Sequence, residues 1–447
     1  MSIPLSTPQA LERSVIRKVL ARLAPFLAFL YVFNLLDRGN VAIAASTMQN
    51  DLKLSDTVYA FGAGIFFIGY FIFEIPSNLI MEKVGARRWI ARIMISWGAV
   101  STCMMFVKSP GSFYFLRFML GLAEAGFYPG IVLYFTYWVP ANARAQVIAR
   151  FLALTALLGI FGPFLGGLLL QLDGTYGLKG WQWLFLLEGI PSILLGFVVW
   201  GVLPNGPDGA KWLSQEEKSW LTNRLITEAS NDQRVHHLSF KVALSDPRIR
   251  QLCLIFIVTS TGLNAVNLYG PKIILAWSQG TWSPASAAKI LIIPGIVGAI
   301  GMMIGAAHSD RTGRRRAHVT LGYFVAGLGF LALIFAQNPW WIAAALSLNV
   351  LGERIAAGSY WALTTNLMGA KAAAGGIAFI NSVGNLGGFI GPVMMDRVRG
   401  VTHGQYTPGI LMAAGLMFLG AFFCYRLHVQ PSTEASPPGD LAVEPAS

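Results

Sequence analysis

The sequence predicts an all-α membrane protein of twelve transmembrane helices, arranged as two six-helix bundles. Three observations predict it. Of 447 residues, 55% are hydrophobic and only 12% are charged, against roughly 25% charged in an ordinary soluble domain. Apolar runs of about 20 residues, the length that crosses a bilayer, recur twelve times. The basic residues gather in short clusters in alternate gaps between those runs. A soluble enzyme, a disordered chain and a disulfide scaffold are excluded by this composition.

The first run, 22–46, follows a polar segment, 1–21, that carries Arg13, Arg17 and Lys18. It holds Asn34, Asp37 and Arg38, which the apolar core of a signal peptide would not, so it is expected to be a true span. The second to sixth runs cover 58–81, 89–108, 112–137, 147–170 and 182–203. The seventh to twelfth cover 249–274, 286–307, 317–337, 340–366, 373–396 and 406–427. Helices are expected because strands would have to close into a barrel and would alternate in polarity. Between the sixth and seventh runs lies one long polar loop, 204–248. Ser214 and Glu217 read there as a capping box that opens a short helix, with Trp220, Leu221 and Leu225 on one side. The tail, 428–447, is rich in Pro, Ser and Glu and is expected to be disordered.

Lys and Arg set the expected orientation. With the N-terminus inside, the inner segments hold 23 of them and the outer loops five: Lys53, Lys108, Lys179, Arg397 and Arg399. That bias places both termini in the cytoplasm. The expected organisation is then a cytoplasmic segment 1–21, a first bundle 22–203, a cytoplasmic loop 204–248, a second bundle 249–427 and a cytoplasmic tail 428–447. Arg397 and Arg399 run against the rule. The net charge of +12 comes from these loop clusters; no basic face with interleaved aromatics points to nucleic acid. Cys103, Cys253 and Cys424 lie far apart in apolar runs, so neither a disulfide nor a metal site is expected, and no cofactor.

The halves repeat. Glu82-x-x-Gly85-x-Arg87-Arg88 follows the second run, and Asp310-x-x-Gly313-Arg314-Arg315-Arg316 follows the eighth, offset by 228. Gly162-Pro163 and Gly391-Pro392 are offset by 229. One constant offset across separate features indicates two homologous halves. Many secondary transporters are built so, with the substrate site at the interface of the halves. In each loop a Gly would make the turn, and the acid could bridge to arginines or to a helix N-terminus.

Charges inside the runs are the second signal, because each costs at least about 2.5–3.5 kcal/mol at bilayer depth and so tends to face a cavity or a partner. The candidates are Asp37, Arg38, Glu74, Arg117, Glu124, Glu188, Lys272, Glu353 and Arg354. Adjacent helical residues point about 100° apart, so Asp37 and Arg38 project differently. Arg117 and Glu124 share a face two turns apart. A buried Arg binds carboxylates bidentately, and a carboxyl in a dry site exchanges a proton near neutral pH. The two together suit proton-coupled anion uptake; a structural ion pair locking two helices is the alternative. Glu74 and Glu188, near helix ends, read as mainly structural, and so does Arg117, with proton coupling as its second reading. Tyr31 and Asn34 fall on the helical stripe of Asp37, Arg38 and Val41, which favours them as lining residues.

The runs LLDRGNVAIA (35–44), GYFIFEIPSNLIMEKVGARRW (69–89), RFMLGLAEAGFYPGIVLYFTYW (117–138), WLFLLEGIPSILLG (183–196) and GGIAFINSVGNLGGFIGP (375–392) resemble the anion:cation symporter family of the major facilitator superfamily. The likeness covers essentially the whole chain, and the paired loops resemble that superfamily's signature, with Glu82 where an Asp is usual. The resemblance implies the major facilitator fold and proton-coupled import of an organic anion: tartrate, a sugar acid or an aromatic carboxylate. It assigns carboxylate binding to Arg38, proton coupling to Asp37 and Glu124, a place near the substrate to Tyr70, Asn381 and Asn385, and gating to Glu82, Gly85, Arg87, Arg88, Asp310, Gly313 and Arg314. Asn264, Asn267 and Tyr269 lie in the seventh run, which often lines the site in this fold. Polar residues there also serve helix–helix hydrogen bonding.

The expected protein is a proton:organic-anion symporter of the bacterial inner membrane, monomeric, with an organic anion, protons and the lipid bilayer as partners. Three alternatives stand beside it. Gly159-x-x-Gly162-Pro163-x-x-Gly166-Gly167 resembles a motif of drug:proton antiporters, which would make the chain an exporter of amphipathic compounds. A membrane enzyme finds no nucleophile–base or metal constellation. A receptor on a transporter scaffold would bind without flux.

Overall fold

The computed structural model describes residues 8–140, 161–232, 246–278 and 281–427, with residues 143, 144, 147, 148, 150, 151, 154 and 155 between the first two stretches. Among the described residues the regular structure is helical, with no strand. Nine of these helices are long and apolar enough to cross a membrane. Ile72, Leu194, Phe197, Trp200, Leu321 and Phe422 are exposed; a water-soluble protein rarely shows so much apolar surface, whereas lipid accepts it.

The first half contains α1 (Pro8–Leu52), α2 (Asp56–Val84), α3 (Ala86–Cys103), α4 (Pro110–Glu124), α5 (Phe127–Thr136), α6 (Gly162–Leu169) and α7 (Gly180–Val202). α8 (Gln215–Asp232) lies in the polar loop. The second half contains α9 (Pro247–Asn267), α10 (Gly270–Trp277), α11 (Pro284–Lys289), α12 (Ile292–Thr312), α13 (Arg315–Ile334), α14 (Pro339–Asn385), α15 (Gly387–Val401) and α16 (Thr407–Tyr425). Side-chain caps mark several starts: Ser55 accepts from the Val58 N–H, Ser109 from Ser112, Asp246 from Arg248 and Asn338 from Trp341.

Several apolar runs are broken where the sequence pattern is continuous, the eleventh at Leu386 between α14 and α15. In the fourth run α4 ends at Glu124, and Gly126 adopts φ 85°, a left-handed conformation that glycine takes without strain. In the seventh, Pro271 stands four residues after Asn267, where its ring would meet that carbonyl, and α9 stops there. Pro294 stands in the same relation to Ile290 at the break between α11 and α12. Two further differences concern helix length. α1 runs through residue 21 without a break. α14 includes the segment expected to be a loop between the tenth and eleventh runs. It nevertheless folds back. The Tyr360 ring stacks on Phe256 at 5.5 Å, and Gly384 abuts the same ring, although 24 residues of straight helix would span about 36 Å.

The repeat read from the sequence reappears as packing. α2 packs on α4, and at the equivalent place α12 packs on α14. α3 packs on α7, and α13 on α16. Close approach rests on small residues: Gly98 faces Gly189 between α3 and α7, and Gly322 faces Gly352 between α13 and α14. The halves meet along two seams, α2 on α15 and α6 on α11, which the repeat makes equivalent. At the first seam a methyl group on Gly64 would lie 2.9 Å from Phe389, nearer than carbon atoms pack.

Bonds between the halves gather at the end of the bundle that carries Asp56. Lys272 of α10 bonds one Asp56 oxygen at 2.5 Å, and Arg399 of α15 the other at 2.8 Å. The Tyr59 hydroxyl donates to the Leu268 carbonyl at 2.7 Å. Tyr59 and Tyr269 meet edge to face, and Lys272 lies 4.8 Å from the Tyr59 ring. Arg399 stacks 4.1 Å over Tyr406. Arg399, at odds with the charge rule in the sequence, thus has a specific partner.

At the opposite end α1 extends past the bundle and docks on α8. The capping box forms: the Glu217 N–H donates to Ser214 Oγ, and the Ser214 N–H to Glu217 Oε2. Glu217 then accepts from Ser14 Oγ at 2.6 Å and Lys18 Nζ at 2.7 Å. Leu221 is fully buried, with Trp220 and Leu225 packed on the core beside it. Burial works against the Glu217 charge, but the bonds from Lys18, Ser14 and the Ser214 backbone outweigh it and hold its carboxyl below the usual range. The tail 428–447 and His236 and His237 lie outside the described residues.

Two outcomes follow from these contacts. Glu217→Gln is expected to loosen the α1 extension by about 1–3 kcal/mol at pH 7, seen as faster amide exchange in residues 11–20. Because the folded-state pKa is depressed, the wild-type contact contributes fully above the ordinary carboxylate pKa. It is lost as pH falls through the folded value, so the two proteins converge in acid. Asp56→Asn is expected to weaken the clasp by about 1 kcal/mol, about fivefold in the ratio of closed to open. Spin labels at Lys53→Cys and Arg397→Cys, on a background without the three native cysteines, would then report a larger long-distance population. An unchanged distribution would make the clasp passive.

Candidate functional site

Arg38 and Glu124 form an ion pair through Arg38 Nε and Glu124 Oε1. Glu124 is the last residue of α4, and the left-handed Gly126 behind it turns the chain away. The Glu124 side chain is 0% exposed and that of Arg38 is 25% exposed. The Arg38 side chain is therefore partly exposed while its partner is not. Its flat face lies 4.7 Å over the Tyr70 ring and 5.5 Å from Phe66, a cation–π geometry. Arg117 approaches Phe66 at 4.8 Å and donates to the Gly62 and Ala63 carbonyls of α2, at 3.2 and 3.0 Å. Its bonds tie α4 to α2, as its structural reading expects.

Asp37 points elsewhere, as the 100° step between neighbours requires. It accepts from Trp97 Nε1 at 2.7 Å and Ser101 Oγ at 2.6 Å, both on α3, with Ser192 of α7 at 3.4 Å. All these partners are neutral donors inside the first half. Asn34 is buried next to Glu124. Tyr31 packs against Phe127, Tyr128 and Phe151, at ring distances of 5.4 to 6.3 Å. It lies within electrostatic reach of Arg38 and Glu124 and also of Arg354 in the second half. Arg354 itself bonds the adjacent Glu353 at 3.1 Å.

The second half brings Asn381 to this region. Asn381 Nδ2 donates to Glu74 Oε1 at 2.7 Å, and Ser382 Oγ donates to Glu74 Oε2 at 2.6 Å. Asn385 is half-buried at the end of α14. Asn264 is half-buried and bonds back to Ser260, and Asn267 is exposed. Tyr269 is placed in the clasp with Tyr59, Tyr406, Lys272 and Arg399 rather than beside Arg38.

In the loop motifs both glycines carry positive φ, 93° at Gly85 and 65° at Gly313. That is the tight turn the sequence pattern implied. Asn205 accepts from the Arg87 N–H at 3.2 Å. Glu82, Arg88 and Arg314 are exposed. Arg315 donates to the Ala362 carbonyl and Arg316 to the Leu427 carbonyl. The backbone of Asp310 is helical, and its side chain lies outside the described residues.

Residues that sequence reasoning passed over include Asp56, Tyr59, Trp97, Ser101 and Ser382. Asp56 had a signal, an acid beside a loop expected on the same side as Arg399, the residue at odds with the charge rule. Trp97 and Ser101 had none, because a donor on a neighbouring helix is identified only by its position in space.

The profile described as Major Facilitator Superfamily matches residues 27–392. A protein of Agrobacterium vitis named "Putative tartrate transporter" is 44% identical over 92% of this chain and 90% of its own. A "Quinolone resistance transporter" of Acinetobacter baumannii is 38% identical over 93% and 94%. Among solved structures, a bacterial homolog of the human lysosomal transporter Spinster, inward-facing and unoccupied, aligns over 94% of this chain and 99% of its own. Its TM-score is 0.73 and its identity 17%, a likeness of fold. The resemblance read from the sequence motifs therefore holds. The chain belongs to the Major Facilitator Superfamily, as a multi-pass transporter of bacterial inner-membrane type and not an enzyme.

Proposed function

We propose that the protein is a proton-coupled symporter that takes up a small organic anion of the tartrate or sugar-acid kind. The observation that carries the proposal is the Arg38–Glu124 pair, with a sealed carboxylate and an arginine side chain that is still partly exposed. A substrate carboxylate competes with Glu124 for Arg38, the residue type best suited to bidentate carboxylate binding. Once displaced, Glu124 is an unpaired charge in an apolar site, which is costly, and a proton relieves it. Binding of the anion and of the proton are thereby linked. Asp37, held by neutral donors between α1, α3 and α7, is the second proposed proton site. Tyr70 and Phe66 fix the guanidinium plane, and Tyr31, Asn34, Asn381 and Asn385 complete the proposed lining.

The orientation proposed from the Lys and Arg bias puts the Asp56 clasp on the outer face and the basic loops on the inner face. The halves, closed at the clasp, then stand in the inward-facing arrangement. An inside-negative potential opposes anion entry by about 2.3 kcal/mol per charge per 100 mV, so protons must at least neutralise the substrate. The tartrate-named relative at 44% identity supports the substrate class. The quinolone-resistance relative at 38% favours a second reading, proton-linked export of amphipathic compounds, in which Arg38 need not touch the cargo.

Uptake into proteoliposomes under an inward proton gradient separates the two. The panel is tartrate, a sugar acid, hydroxyphenylacetate, phthalate and a cationic dye. Symport predicts accumulation of at least one acid. Arg38→Gln is expected to lower its uptake at least about 30-fold, as the loss of one partner of a buried charge pair implies. Glu124→Gln is expected to keep acid exchange and weaken gradient-driven accumulation. Dye–proton exchange that ignores Arg38, without acid uptake, would overturn symport in favour of export.

A further inference from the structure

We propose that Glu74 is a further proton-linked carboxylate, beside Glu124 and Asp37, which stands in for the substrate anion on the second half of the unloaded carrier. The inference rests on the symport reading and adds a residue to it. Its basis is a parallel on the two sides of the cavity. Arg38, the first-half ligand proposed for the substrate, is occupied by Glu124. Asn381, a second-half ligand proposed for it, is occupied by Glu74, as is the adjacent Ser382. Each proposed anion site is thus filled by a protein carboxylate.

Glu74 differs from Glu124 in reaching across the halves. It stands on α2, 2% exposed, one helical turn after Tyr70, whose ring carries Arg38. Asn381 and Ser382 reach it from α14, so its two oxygens tie the halves near the Arg38 pocket. The charged and titratable groups within electrostatic reach are Arg38 of α1 and Tyr70 of its own helix; α14 faces it with neutral donors. Asn78 bonds the Glu74 backbone carbonyl, not its carboxyl.

The chemistry follows from hydrogen-bond counting. Ionised Glu74 accepts from both Asn381 and Ser382. When it takes a proton it becomes a donor itself, and the charge that strengthened both bonds is gone. Asn381 and Ser382 are then free for a carboxylate of the incoming anion. The same proton leaves Glu74 when the substrate does, and the donors return to it. Glu124 and Glu74, the two carboxylates that occupy proposed substrate ligands, are released by two protons, which match the charge of a dianionic substrate.

The test measures the proton:tartrate ratio in proteoliposomes, from the pH gradient that balances an imposed tartrate gradient at clamped potential. Glu74→Gln is expected to lower the ratio by one proton relative to wild type and to keep tartrate counterflow within about threefold. The double variant Asn381→Ala/Ser382→Ala keeps Glu74 and removes the donors. It is expected to raise the KM for tartrate roughly tenfold, as the loss of hydrogen bonds to a charged group implies. A ratio unchanged in Glu74→Gln overturns the inference, and so does an unchanged KM in the double variant. Should Glu74→Gln fail to give a monodisperse protein, the KM of the double variant decides alone. Failure of the underlying symport reading looks different: wild type would then accumulate no acid under a proton gradient.

Discussion

A charge cannot be left alone inside an apolar helix bundle, and the interior of this protein is organised around that constraint. Removing a carboxylate or guanidinium from water costs several kcal/mol unless a partner meets it. Four of the buried charged groups here, Glu124, Arg117, Asp37 and Glu74, meet partners of different kinds, whereas the carboxyl oxygens of buried Glu188 lack a hydrogen-bond partner among the described residues. Glu124 is met by Arg38, and Arg117 by two backbone carbonyls of α2. Asp37 is met by an indole and hydroxyls, and Glu74 by an amide and a hydroxyl from the other half. These choices are not equivalent. A carbonyl partner is fixed in the backbone and makes Arg117 a strut. A guanidinium that a substrate can capture leaves Glu124 with a charge to neutralise.

The rest of the architecture holds those partners in place and lets some of them part. Within each half, helices approach through glycines, as at Gly98 and Gly189 or Gly322 and Gly352, and such contacts are hard to deform. Between the halves the bonds are fewer and more polar: the Asp56 clasp, the Tyr59 hydroxyl and the Glu74 bridge. Glycines pack closely inside the halves and, at Gly64 and Phe389, between them as well; few polar bonds cross the seam, and an interface held by few bonds supports discrete alternative arrangements. The repeat strengthens this reading. The seams α2–α15 and α6–α11 exchange places under the sequence offset, so the halves meet through equivalent contacts on either side of their shared axis.

The two relatives, one named for tartrate and one for quinolone resistance, illustrate that a transporter fold does not fix its cargo. What differs between such readings is local: whether a cation on the cavity wall binds an anion or only completes an internal ion pair. Under the proposed symport, Arg38 does the first in the loaded state and the second in the empty one. The glycine break after Glu124 matters here, because it ends α4 inside the bundle and leaves its last side chain facing α1 rather than another turn of helix.

Much of this was legible in the sequence, for a physical reason. Bilayer thickness imposes a length on every span, and the cost of unsatisfied backbone in lipid imposes the helix. The apolar runs, the repeat and the glycine turns at Gly85 and Gly313 are therefore local properties, written in composition and spacing. The capping box at Ser214 and Glu217 is equally local. The step of 100° per residue separated Asp37 from Arg38 before any coordinates. The sequence could not say which way each one pointed, nor that Lys272 and Arg399 would meet Asp56, 216 and 343 residues away along the chain. It left Glu74 among the structural groups because its partners lie on another helix, 307 and 308 residues later. Length, polarity and turn chemistry are set by neighbours along the chain. The pairing of buried charges is set by neighbours in space, and only the tertiary structure decides it.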